Sequence, residues 1–115
     1  MDCFFLYLYK MKDAYLKIPL VKNDTKKRFE IAIDGSFAYI NYTELGHQIA
    51  LVHTETDAAL AGKGAASAVV EKTLHYIDDH DKKLLPFCPY VFAYIKKHPE
   101  WKRLVDTRFK GYDNL

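Results

Sequence analysis

The chain has 115 residues, half of them hydrophobic and 15% aromatic, which suits one domain with one packed core and excludes wholesale disorder. Its 17 basic and 15 acidic residues leave a net charge of +2, and this balance argues against a nucleic-acid-binding protein, whose basic residues cluster on one face. The two cysteines, Cys3 and Cys88, form neither a disulfide framework nor a zinc motif. We therefore expect reduced thiols, no bound metal and a cytoplasmic protein.

The first feature along the chain is a very apolar run over residues 3–9. It is too short to span a bilayer, and it lacks the basic region and cleavage site of a signal peptide. Two interpretations stay open: an extra edge strand, or an extension that precedes a natural start at Met11. We predict an N-terminal extension with edge strands over residues 1–27 and no contact with a membrane.

Alternating apolar and polar residues then predict an antiparallel meander of three strands, over residues 28–33, 37–43 and 48–53. Asp34-Gly35 between the first two runs is a typical hairpin turn. In the third strand, Ile49, Leu51 and His53 are expected to share one face.

The period of the apolar residues changes after the third strand. Helical spacing predicts a helix over residues 64–80, and a short apolar run predicts a strand over residues 83–88. Pro89 favours the start of a second helix, which Pro99 ends. A strand-helix-strand crossover implies a parallel or splayed pair beside the antiparallel strands. The predicted class is α+β: a mostly antiparallel mixed sheet with two main helices.

The turn before the first long helix carries the chemistry that is easiest to interpret. Glycines allow backbone N–H groups to approach a ligand closely, and a helix N-terminus adds free donors and a partial positive charge. These groups together can hold a pyrophosphate, with a charge from a lysine and a hydroxyl from a serine. A merely structural turn is the alternative, and the spacing fits neither a Walker loop nor a dinucleotide fingerprint. The candidate binding residues are Gly62, Lys63, Gly64, Ala65, Ala66 and Ser67.

This segment resembles the acetyl-CoA pyrophosphate loop of the GNAT acetyltransferase superfamily, Q/R-x-x-G-x-G/A. Gly64 takes the place of the glycine, and Ala66 takes the place of the final small residue. Ala61 stands where the superfamily has Gln or Arg, and we hypothesise that Lys63 compensates for the missing side chain.

A second signature follows in Cys88-Pro89-Tyr90-Val91, Tyr94-Ile95 and His98-Pro99-Glu100-Trp101, with His53-Thr54-Glu55 upstream. Together these motifs resemble the small, single-domain GNAT-like branch of YjdJ-like proteins. The resemblance covers about residues 28–108, which we predict as one N-acetyltransferase-like domain. It implies a GNAT-like (acyl-CoA N-acyltransferase) fold with a splayed strand pair, and acetyl-CoA as cosubstrate.

The predicted catalytic residues are Cys88, His53 and Glu55. A thiol at a strand end beside a helix start is biased towards thiolate, so Cys88 is either an acetyl acceptor, a wall of the acetyl pocket, or a buried structural cysteine. His53 is a base near the thioester or a satisfied core histidine. Glu55 accepts a proton from the amine, orients His53, or is a solvated acid.

The resemblance also implies that a backbone N–H of the third strand donates to the thioester oxygen, and we assign Val52 and His53 to the cofactor site. Cys88 and Tyr94 complete the predicted binding set, although core packing is an alternative for the tyrosine. The implied reaction is direct acetyl transfer to an amine of a small molecule or a protein. A route through acetyl-Cys88 and a non-catalytic coenzyme A-binding sensor or interaction module are the alternatives. We expect a monomer or a homodimer.

Overall fold

The computed structural model describes residues 13–115, so the two interpretations of residues 1–10 lie outside the described residues. No helix within residues 13–115 is both long and apolar enough to cross a membrane. The helices are α1 (Asp13–Leu16), α2 (Ala65–Asp79) and α3 (Pro89–Lys97), and the strands are β1 (Val21–Asn23), β2 (Arg28–Ile33), β3 (Ser36–Leu45), β4 (Gln48–Thr56) and β5 (Lys83–Pro86). Short 3₁₀ turns occur at Ala58–Leu60, Pro99–Leu104 and Tyr112–Asn114.

Within residues 13–115, the strands form one five-stranded sheet in the order β1-β2-β3-β4-β5. The first three pairings are antiparallel and the pairing of β4 with β5 is parallel, which is the mixed sheet that the sequence predicts. Asp34 and Gly35 both have positive φ, 51° and 81°, as a two-residue type I′ hairpin requires. The predicted hairpin is therefore confirmed, and both long helices begin and end within one residue of their predicted bounds.

A β-bulge in β4 changes which side chains share a face. Asn41 pairs with His53 and Tyr42 pairs with Leu51, so Val52 is an extra residue on β4. Because side chains alternate along a strand, one extra residue reverses the alternation beyond it. The prediction that His53 shares a face with Ile49 and Leu51 is therefore wrong: those two are fully buried, whereas the His53 side chain is 59% exposed.

The strands β4 and β5 separate just beyond the bulge. Their pairing ends at Leu51 and Pro86, while β4 continues alone on this side to Thr56. This is the predicted splayed pair, although β5 ends at Pro86 and not at Cys88. The backbone N–H of Cys88 still donates to the carbonyl of Leu51, at 2.8 Å, and holds the start of α3 at the point of separation.

In the described part of the chain, alternate strand residues and the inner faces of α2 and α3 form one hydrophobic core. The apolar face of α2 is buried in this core. This burial stabilises the helix, since a helix of 15 residues is marginal by itself in water. The largest fully buried side chains are Phe29, Ile31, Ile40, Ile49, Leu51, Val69, Val70, Leu74, Ile77, Leu84, Val91 and Ile95.

The residues that follow the 3₁₀ turn Pro99–Leu104 are bonded to the outer side of β5. Val105 forms a parallel bridge with Leu84, and the N–H of Asp106 donates to the Leu84 carbonyl at 3.0 Å. The Asp106 carboxylate accepts hydrogen bonds from Arg108 at 3.0 Å and from the Gln48 amide at 2.7 Å. These hydrogen bonds hold the pKa of Asp106 well below its usual range, and those from Arg108 have the largest effect.

The lowered pKa of Asp106 predicts an acid-dependent loss of stability. An ionised Asp106 stabilises the fold above the pKa of about 3.9 that an unfolded Asp has, and this contribution is lost as pH falls towards the folded-state pKa. We expect Asp106→Asn to unfold at lower urea concentration than the wild type at pH 7, with the gap between their midpoints closing in acid. A gap that stays constant down to about pH 2 would contradict the assigned cause.

Candidate functional site

The turn before α2 has the backbone conformation of an open helix N-terminus. Gly62 and Gly64 have φ of 72° and 83°, in the left-handed region that disfavours other residues. Gly64 caps α2, and no side chain of the described residues caps it in addition. Within residues 13–115, the N–H groups of Ala65, Ala66 and Ser67 have no hydrogen-bond acceptor, as expected for the first turn of a helix. These N–H groups are among the donors that the sequence predicts, although Ala65 itself is 1% exposed.

A tyrosine from outside the predicted domain holds this turn in place. The hydroxyl of Tyr15 donates to the carbonyl of Lys63 at 2.8 Å, and Tyr15 is only 5% exposed. The N–H of Lys63 donates to Leu60 at 3.2 Å, so both backbone groups of Lys63 are fixed while its side chain lies in solvent. Sequence reasoning missed Tyr15, because nothing in its neighbourhood distinguishes it from the other eight tyrosines.

The bulge residue Val52 lies where the splay between β4 and β5 begins. It has no partner in the register of β3, and the pairing with β5 ends one residue earlier, at Leu51. Val52 is 43% exposed although it lies in the middle of a long strand. The register thus leaves Val52 unmatched at the point where β4 separates from β5.

Cys88 lies on the other side of the splay from β4. It is 2% exposed, and its Sγ lies 3.2 Å from Oγ1 of Thr54. Thr54 points to this side because the bulge has reversed the alternation of β4. The structure thus brings Thr54 to Cys88, a contact that the sequence does not reveal. Burial of the thiol fits both a wall of a narrow pocket and a structural cysteine.

His53 and Glu55 form a hydrogen-bonded pair on the opposite face of β4. Their Nε2 and Oε1 atoms are 2.7 Å apart, and both side chains are more than half exposed. A carboxylate at this distance orients an imidazole. The three predicted catalytic residues therefore do not lie together. His53 and Glu55 pair on one face of β4, while Cys88 contacts Thr54 on the other face.

Two contacts join α2 to α3 beside the glycine turn. Oγ of Ser67 and the hydroxyl oxygen of Tyr90 are 3.1 Å apart. Deeper in the interface, the hydroxyl of Tyr94 donates to the carboxylate of Glu71, and both residues are buried. Burial, together with Glu71, raises the pKa of Tyr94. The Tyr94 hydroxyl is thus engaged in the core, and only its ring is left to contact a ligand.

The arrangement of bulge, splay and open helix N-terminus agrees with a comparison to known families, in which residues 28–104 match the GCN5-related N-acetyltransferases. The chain belongs to this family. The match spans more than half of the chain and includes β2 to β5, both long helices and the glycine turn.

Membership of the GCN5-related N-acetyltransferases confirms the predicted GNAT superfamily and its α+β fold, and it supports acetyltransferase activity in general. Two of the observed anchors lie outside the matched range: Tyr15, which holds the glycine turn, and Asp106, which fastens the end of the sheet. Tyr15 lies in the predicted N-terminal extension of residues 1–27, and it contacts the glycine turn of the predicted domain of residues 28–108.

The buried contact between α2 and α3 gives a stability prediction with a matched control. Tyr94→Phe deprives the buried Glu71 carboxylate of a donor and is expected to lower the free energy of unfolding by about 1–3 kcal/mol. Tyr90→Phe removes a hydroxyl from an exposed tyrosine on the same helix and is expected to cost less than about 0.5 kcal/mol. Urea unfolding of the three proteins measures both values. Equal losses in the two variants would show that Glu71 does not depend on Tyr94.

Proposed function

We propose that the protein is an acetyl-CoA-dependent N-acetyltransferase that transfers the acetyl group directly to an amine. The observation that carries this proposal is the bulge at Val52, where β4 and β5 separate. The start of α3 lies on the other side of this gap and contacts the N-terminus of α2. These parts are connected: Ser67 contacts Tyr90, which follows Cys88 closely, and Cys88 donates to Leu51 beside the bulge.

The turn before α2 is where we place the diphosphate of coenzyme A. The N–H groups of Ala65, Ala66 and Ser67 supply donors, and the helix dipole favours negative charge. The exposed Lys63 adds a full positive charge within reach of the same anion. This lysine takes over, in our proposal, the role of the Gln or Arg side chain that Ala61 lacks.

The thioester belongs at the bulge, where the N–H of Val52 donates to its carbonyl oxygen. That oxygen gains negative charge as the amine attacks, so a fixed donor there lowers the barrier. The amine nitrogen forms a bond to the carbonyl carbon, and the carbon–sulfur bond breaks to release the coenzyme A thiolate. The proton that the amine gives up passes to His53, whose ring Glu55 orients.

Cys88 is assigned to the wall of the acetyl pocket. Its Sγ is buried and lies against Thr54, on the face of β4 opposite the His53–Glu55 pair. Because His53 lies on the opposite face of β4, it is badly placed to activate the thiol. This favours direct attack by the amine over an acetyl-cysteine intermediate. The acceptor is an amine of a small molecule or a protein.

The role of Cys88 is tested by substitution and by mass spectrometry of the intact protein. We expect Cys88→Ala to retain at least about a third of wild-type turnover, since loss of a wall contact costs less than loss of a nucleophile. Incubation with acetyl-CoA alone is expected to leave the wild type without an acetyl adduct. An adduct that disappears in Cys88→Ala, together with a loss of turnover, would establish the covalent route instead.

Thermal unfolding with and without acetyl-CoA tests the proposed function, followed by turnover with a panel of primary amines and peptides. A ligand at 100 times its dissociation constant stabilises the folded state by about 2.7 kcal/mol, so the melting temperature is expected to rise clearly. An unchanged melting temperature would overturn the proposal. Binding without turnover of any amine would favour the non-catalytic coenzyme A-binding module.

Two glycine variants locate the binding to the turn before α2. Gly64→Ala and Gly46→Ala both force a side chain into the left-handed region, since the wild-type φ values are 83° and 65°. Each is expected to lose about 1–2 kcal/mol of stability. Only Gly64→Ala, at the start of α2, is expected to weaken acetyl-CoA binding as well, by about tenfold. Equal affinities in the two variants, measured by isothermal titration, would remove the diphosphate from this turn.

A further inference from the structure

Exposed apolar side chains border the gap between β4 and β5. Val52 and Phe87 each follow the last paired residue of their strand, since the pairing ends at Leu51 and Pro86. Their exposed fractions are 43% and 57%. Single exposed apolar residues are common on proteins, but two of them at one opening indicate a surface that contacts another molecule.

A second aromatic ring supports Phe87. The rings of Phe87 and Phe109 meet edge to face, with their centroids 5.3 Å apart. Phe109 is half-buried, and its N–H donates to the carbonyl of Asp106 at 2.9 Å. A Cβ at Gly111 would lie 2.9 Å from the Phe109 ring, so the ring packs closely against this glycine. Phe87 therefore lies against a fixed neighbour and presents an ordered apolar surface.

These apolar residues lie on the side of the proposed base, His53. Val52 and His53 are adjacent at the bulge and are both exposed. Cys88 contacts Thr54 on the other face of β4. Because side chains alternate along an extended chain, Phe87 is expected on the face of His53. An amine that gives its proton to His53 therefore has its carbon skeleton beside Val52 and Phe87.

Two carboxylates of the same sheet face lie in one row across β2, β3 and β4, and both are engaged. Glu55 pairs with His53 at 2.7 Å, while Glu30 accepts from Arg28 at 2.6 Å and from Asn23 at 3.3 Å. The side chains of Glu30 and Arg28 are only 11% and 14% exposed. A polyamine needs several free carboxylates for its positive charges, so this face is poorly suited to one.

We propose that the acceptor is a small primary amine with an apolar or aromatic carbon skeleton, and that Phe87 determines this specificity. The inference rests on the proposed function, since it needs the thioester at the bulge. The amine nitrogen bonds to the acetyl carbon, the carbon–sulfur bond breaks to release the coenzyme A thiolate, and the amine proton passes to His53. The skeleton of the amine stays on Val52 and Phe87, where the loss of apolar surface to water favours binding.

Turnover of three amines tests the inference: 2-phenylethylamine, ethanolamine and spermidine have an aromatic, a polar and a polycationic skeleton. We expect the wild-type kcat/KM for 2-phenylethylamine to exceed the other two values by at least about tenfold. Phe87→Ala is expected to lower this kcat/KM by about tenfold, mainly through KM, and to leave ethanolamine unchanged. Phe87→Leu keeps an apolar side chain and is expected to retain at least about a third of the wild-type value.

Leu45→Ala is the matched control. Leu45 is also an exposed apolar residue, at 49%, but it pairs with Gln48 at the start of β4, away from the gap. Both alanine variants remove an exposed apolar side chain, and only Phe87→Ala changes the border of the gap. Leu45→Ala is expected to leave kcat/KM unchanged for all three amines. Acetyl-CoA affinity, measured by isothermal titration, is expected to stay within about twofold of the wild type in both variants.

The outcomes separate this inference from the proposed function. A wild type that prefers ethanolamine or spermidine would overturn this inference alone, because acetyl transfer to an amine would still stand. Equal losses of kcat/KM in Phe87→Ala and Leu45→Ala would also overturn it alone. Turnover of a lysine-containing peptide with none of the three amines would assign the surface to a macromolecular acceptor and overturn it as well. A melting temperature that acetyl-CoA does not change would overturn the proposed function, and this inference with it.

Discussion

The extra residue that β4 carries opposite β3 determines where the side chains of the site point. Because Tyr42 pairs with Leu51 while Asn41 pairs with His53, the chain beyond Val52 is turned over relative to the chain before it. Thr54 is thereby presented to the thiol of Cys88, and the imidazole of His53 is presented to solvent. Val52 also lies where β4 separates from β5. One inserted residue therefore lies at the opening between the strands and places Thr54 and His53 on opposite faces of β4.

The rest of the fold serves to keep that opening in register with the start of α2. Cys88 is bonded through its backbone to Leu51, and the first turns of the two long helices meet through Ser67 and Tyr90. A buried carboxylate and hydroxyl fasten the helices further along their length. The glycine turn would be free to change shape between these fixed elements, and Tyr15 prevents this by engaging a carbonyl in its middle. Preorganisation of this kind reduces the entropy lost on binding.

The sequence predicts the elements because their signals are local. Asp34-Gly35 specifies a type I′ turn, and Pro89 marks the first turn of a helix. The left-handed conformation before α2 falls on a glycine, which is the residue type that favours it. The bulge has no such signal, since the strand reads as alternating through Val52, and the face assigned to His53 was wrong for that reason. Contacts that join distant parts of the chain, such as that of Tyr15 with the glycine turn, depend on packing that no local pattern encodes.

The fastening of Val105 and Asp106 along Leu84 has a consequence for self-association. The outer side of a terminal strand exposes unpaired N–H and C=O groups, which invite pairing with a strand of another molecule. At Leu84 the carbonyl already accepts from the N–H of Asp106, and Val105 forms a bridge with this residue. The carboxylate of Asp106, which accepts from Gln48, holds this segment in position. A second copy therefore cannot lengthen the sheet at this point without first peeling away the protein's own C-terminal segment.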